Sequence, residues 1–117
     1  MGVVTPEGKV KMFVRKFMKA HFPNAWQYCP MGGPFGKSGA PDFLYLIEGI
    51  LIGIEAKADK GRLSELQAQT LKQMAAQGAL CAVVYGKDEA KMMRIKAAID
   101  AEVEKRFGAQ NVADITV

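Results

Sequence analysis

The chain has 117 residues, half of them hydrophobic, with 16 Lys and Arg against 12 Asp and Glu. That length suits one domain (residues 1–117) with its own core, and the composition excludes a disordered tail or a fibre. Of the charges, nine cations and five acids fall in Met1–Arg62 and seven of each in Leu63–Val117, so a polyanionic partner would meet the first half.

Met1 to Pro6 carries neither the basic region nor the apolar core of a signal peptide, and Pro6 stands where myristoylation needs a hydroxyl. Thr5-Pro6-Glu7 begins a helix, with a hydroxyl N-cap, proline at the first position and an acid in the first turn. Val10, Phe13, Val14, Phe17 and Met18 form its apolar stripe, to about Ala20, while Lys9, Lys11, Arg15, Lys16 and Lys19 make the remaining faces basic. Ala25–Cys29 reads as a short aromatic strand. The stretch Pro30–Pro41, with four glycines and three prolines, reads as a loop. Gly32 to Ser38 approaches a nucleotide-binding P-loop, but Met31 occupies the first glycine position, and Gly39-Ala40-Pro41 follows where a helix must start. Lys37 is better read as a loop cation able to reach a nucleic-acid phosphate.

Phe43–Ile47 and Ile50–Ile54 are strands around a two-residue turn, Glu48-Gly49, and these two residues also break the apolar run short of the ~20 residues of a membrane span. Asp59–Arg62 is a charged turn. Ser64-Glu65-Leu66-Gln67 has the form of a capping box, opening a helix to about Gln77 that Gly78 ends. Ala79–Tyr85 reads as a buried strand and Glu89 to about Phe107 as an amphipathic helix bearing Met92, Ile95, Ile99 and Val103; the last ten residues carry no clear pattern. Cys29 and Cys81 lie far apart beside a lone histidine, His21, and are expected to be reduced thiols of a soluble cytoplasmic protein, not zinc ligands. The expected fold is α/β, a mixed sheet of about four strands with a central hairpin and helices on both faces.

If Glu48 and Gly49 are the turn, Ile47 faces Ile50, Tyr45 faces Ile52 and Phe43 faces Ile54, which places Asp42 opposite Glu55 with Lys57 on the same face. Opposed carboxylates repel, and a cation must compensate. Lys57 can do so in part; a divalent metal does it better, because two carboxylates and the Ala56 carbonyl make a hard oxygen site, beside which Gly53 leaves space. The alternative is an ordinary Glu55–Lys57 ion pair, with Asp42 capping a turn.

Gly39-x-Pro41-Asp42, Glu55-Ala56-Lys57 and Ser64-x-x-Gln67 together resemble the VRR-NUC family of the PD-(D/E)XK nuclease superfamily, over roughly Thr5 to Tyr85. The order αβββαβ also resembles that superfamily's restriction-endonuclease-like core. The resemblance implies Mg²⁺ or Mn²⁺ held by Asp42, Glu55 and the Ala56 carbonyl, with Glu7 as a further acidic ligand. It implies catalytic roles for Asp42, Glu55, Lys57 and Gln67, with Lys57 orienting water or supporting developing charge and Gln67 near the phosphate. Stand-alone members resemble Holliday-junction resolving enzymes acting as homodimers, so the expected function is metal-dependent cleavage of branched DNA. Lys9, Lys16, Lys37, Lys60 and Arg62 are the expected phosphate contacts. The alternative function is a non-catalytic nucleic-acid-binding module with a structural Asp42, Glu55 and Lys57 cluster.

Overall fold

Thr5 and Pro6 start the first helix of the computed structural model, which describes residues 3–30 and 39–116, with side chains to residue 107. The Thr5 hydroxyl accepts the Gly8 N–H at 3.0 Å, and helix α1 runs Pro6–His21 with Val10, Val14, Phe17 and Met18 buried. Strand β1 is Trp26–Tyr28, one residue shorter at each end than Ala25–Cys29. Strands β2 (Phe43–Ile47) and β3 (Ile50–Lys57) form the hairpin. Glu48 and Gly49 both take left-handed φ values, 50° and 79°, as a two-residue turn matching strand twist requires. Its register is Ile47↔Ile50, Tyr45↔Ile52 and Phe43↔Ile54, as the arithmetic above gives.

Ser64 caps helix α2, Glu65–Ala76, through a complete capping box, and the helix returns the chain to β4, Leu80–Tyr85, parallel to β3. The sheet order is β1-β2-β3-β4, with an antiparallel meander on one side and a parallel crossover on the other. Alternation sends Phe43, Tyr45, Ile47, Ile50, Ile52, Ile54 and Ala56 to one face, where they meet α1 and Met92, Ile95 and Ile99 of α3. Helix α2 packs on the opposite face, over β3 and β4.

Helix α3 spans Glu89–Thr116, continuing beyond Phe107. The only stop signal there is Gly108, which costs a helix about 1 kcal/mol, and no proline follows to break it. Arg106 of this helix pairs with Glu102 and donates from Nη1 to the Gly49 carbonyl at 3.1 Å, tying α3 to the hairpin turn. Cys29 and Cys81 are free and half-buried. No described helix is long and apolar enough to cross a membrane.

Candidate active site

The last ladder pair of the hairpin is Phe43↔Ile54, and beyond it the strands are joined by side chains. The Asp42 N–H donates to Glu55 Oε1 at 3.1 Å, while Asp42 Oδ2 accepts the Ala56 N–H at 2.8 Å. The two carboxylates therefore meet at one end of the β-ribbon, with Glu55 only 2% exposed. The Ala56 carbonyl shares their side of the strand. Gly86 N–H donates to the Lys57 carbonyl on the β4 side, and successive carbonyls alternate, so that of Ala56 faces the gap beyond the end of β2.

Helix α1 brings its first two turns to the same place. Lys57 Nζ lies 3.9 Å from Glu55 Oε2 and 3.8 Å from Glu7 Oε1, while Lys11 Nζ lies 3.7 Å from Glu7 Oε2 and 3.3 Å from Asp42 Oδ1. Three acids and two lysines thus form an alternating chain, Glu55–Lys57–Glu7–Lys11–Asp42. The lysines leave the carboxylate pair undercompensated. Burial first, then the hydrogen bond and charge of Asp42, push the Glu55 carboxyl up to about 8 against the opposing pull of Lys57.

Lys11 is the member that sequence reasoning missed. Its spacing of four from Glu7 was a signal for an ion pair, but not for its reach to Asp42. Gln67 is held in the capping box, its Oε1 accepting the Ser64 N–H at 2.9 Å, and among the described residues it makes no hydrogen bond to the carboxylate cluster. Lys9 and Lys16 lie on the outer side of α1 with Arg15 and Lys19, where a groove of about 590 Å³ is completed by Lys87 from the β4–α3 turn. Sequence reasoning missed Lys87 too, because nothing local places that turn beside α1. Lys60 lies in the exposed turn after β3, and Arg62 is exposed just beyond it. Lys37 lies outside the described residues. The space expected beside Gly53 is filled: a Cβ there would come within 2.9 Å of the Met74 methyl and 3.3 Å of Pro41, so this glycine serves the packing of α2.

Among the described residues, no three His, Cys, Asp or Glu side chains converge on one point. The donor set is instead two carboxylates and a carbonyl, which fits a hard divalent cation that keeps several of its positions for water or phosphate. The raised Glu55 carboxyl is the strain such a cation would relieve.

No family model and no curated protein sequence matches the chain. A solved structure described as a VRR_NUC domain matches it with a TM-score of 0.57, over 82% of this chain and 96% of that one, at 20% identity. The two share a fold.

Proposed function

We propose that this chain is a metal-dependent DNA endonuclease of the VRR-NUC type, selective for branched DNA such as a Holliday junction. The observation that carries the reading is the buried Glu55 held against Asp42 at the end of the hairpin, on the fold of a VRR_NUC domain. Asp42, Glu55 and the Ala56 carbonyl would hold Mg²⁺ or Mn²⁺, with Glu7 as a further acidic ligand. The bound cation would supply Lewis acidity at the phosphate and acidify a water.

The chain's own residues do the rest. Lys57, 13% exposed at its side chain and fixed between Glu55 and Glu7, presents an ammonium where negative charge gathers on the phosphate. Lys11 neutralises the outer edge of Asp42, and its displacement opens the carboxylate for coordination. Gln67, at the start of α2, has its amide NH₂ left to donate toward phosphate while its carbonyl caps the helix. Lys9, Lys16, Lys37, Lys60 and Arg62 position the DNA through its backbone. Cutting a symmetric junction on two strands requires two sites about a two-fold axis, so the active species is a homodimer.

Cleavage of supercoiled plasmid and four-way-junction DNA with Mg²⁺, Mn²⁺ or EDTA tests this. Cleavage should require the metal and fall about 10²- to 10³-fold in Lys57→Ala, the scale of losing one charge-stabilising donor. The alternating lysine–carboxylate chain favours a second reading, a binding module in which those charges are structural. DNA binding without cleavage under every metal condition, equal in wild type and Lys57→Ala, would establish that instead.

A further inference from the structure

The sheet face that carries Asp42 and Glu55 also carries an apolar patch beyond the reach of α2. Trp26 pairs with Leu46, Tyr28 with Leu44 and Leu46 with Leu51, so these five side chains share one face. Trp26 is 57% exposed, Tyr28 51%, Leu46 45% and Leu51 39%. The two rings lie side by side, centroids 6.1 Å apart and within 16° of parallel. Tyr28 sits one strand over and two residues along from Asp42, roughly 8 Å between Cα atoms, and Trp26 about 7 Å farther.

We infer that Trp26 and Tyr28 are a stacking platform for unpaired nucleobases of the strand whose phosphate lies at Asp42 and Glu55. The inference rests on the nuclease reading and gives it a substrate class: DNA with unpaired bases beside the cut. A base taken out of a duplex exposes a flat π-face, and exposed aromatic rings bind such faces with little regard to sequence. By strand spacing the Cα atoms of Tyr28 and Trp26 stand roughly 8 and 14 Å from that of Asp42, a span that about two nucleotides of an unstacked strand cover. The alternative occupant, a second copy, fits the area poorly. The patch exposes roughly 400 Å², which is the scale of a functional patch on a monomer and about half the ~800 Å² per partner of a standard protein interface. Glu48, the acid at the hairpin tip, lies beyond Trp26, at the end away from the carboxylates.

Trp26 is the only tryptophan in the chain, so its emission reports on the platform directly. In EDTA, titration with a single-stranded oligothymidylate of about 15 residues should quench Trp26, whereas a blunt duplex of equal length should not. Anisotropy of the labelled oligothymidylate should show binding weakened roughly tenfold or more in Trp26→Ala and in Tyr28→Ala, and largely kept in Trp26→Phe. Equal quenching by both DNAs, unchanged affinity in both alanine variants, or a dimer that Trp26→Ala dissolves would overturn the platform. Cleavage of plasmid and four-way-junction DNA in Mn²⁺ is measured in parallel. Quenching without cleavage retains the platform and defeats the nuclease reading; cleavage without quenching does the reverse.

Discussion

Glu55 is the one buried charged side chain among the described residues. Its proton leaves the folded protein at about 8 and the unfolded chain near the ordinary 4.5. Between those values the folded state binds more protons, so metal-free stability falls as pH rises through that window. In EDTA the melting temperature of the wild type should drop from about pH 5 to about pH 8, and that of Glu55→Gln should stay nearly flat. Above about pH 8, where both carboxyls are ionised, Asp42→Asn should leave the metal-free fold as stable or slightly more so, because the amide oxygen can keep the bond from the Ala56 N–H while the repulsion disappears. The half-exposed Lys11 pair it loses is worth little. The same variant should weaken Mn²⁺ binding, measured calorimetrically, and a marked loss of metal-free stability would contradict the pairing. A third test concerns Tyr45, whose buried hydroxyl finds no partner among the described residues. Tyr45→Phe should be neutral or stabilising by up to about 1 kcal/mol in denaturant unfolding, since it removes a desolvated group without orphaning another. At this scale the carboxylate pair was legible because strand pairing is integer arithmetic from the turn. Lys11 was not, since the phase of a helix against a sheet is fixed by packing that its own periodicity does not contain.

The hairpin, as an element, sets whether the acids meet at all. Gly49 holds φ at 79° with open space around a would-be Cβ, so Gly49→Ala is a test of backbone strain alone. It should cost about 1 kcal/mol in thermal or denaturant melts. A one-residue slip of this ribbon would send Asp42 and Glu55 to different faces, and the six buried side chains of Phe43, Tyr45, Ile47, Ile50, Ile52 and Ile54 oppose that slip. Ser64→Ala should cost α2 about 1 kcal/mol by removing the hydroxyl that accepts the Gln67 N–H, while the Gln67 side chain keeps its bond from the backbone N–H of residue 64, so comparing its cleavage rate with that of Gln67→Ala separates the capping role from a phosphate role. Element types and order were readable from caps, turns and periodicity. The use of Gly53 was not, because a glycine in a strand reads equally as room for a ligand and as room for a neighbour, here Met74.

Across the whole molecule, four cations of α1 are gathered along one groove and joined by one from the second half of the chain. Lys9, Lys16, Lys19 and Lys87 line a single groove. Alanine at each should weaken duplex binding without regard to sequence and reduce the slope of log affinity against log salt by about 1. Salt titration by anisotropy checks this, and an unchanged slope for Lys87→Ala would remove that residue from the interface. Charge asymmetry was visible in the sequence, whereas the neighbourhood of Lys87 arises only when the β4–α3 turn comes to rest beside α1. The bond from Arg106 to the Gly49 carbonyl joins residues 57 positions apart and reaches the tip of the ribbon whose other end holds the acids. A version trimmed just before Arg106 would keep every residue of the acidic centre yet lose the clasp on its hinge. Its tip should become the first point of proteolytic nicking, because helix α3 would no longer guard, from a distance, the ribbon on which Asp42 and Glu55 are paired.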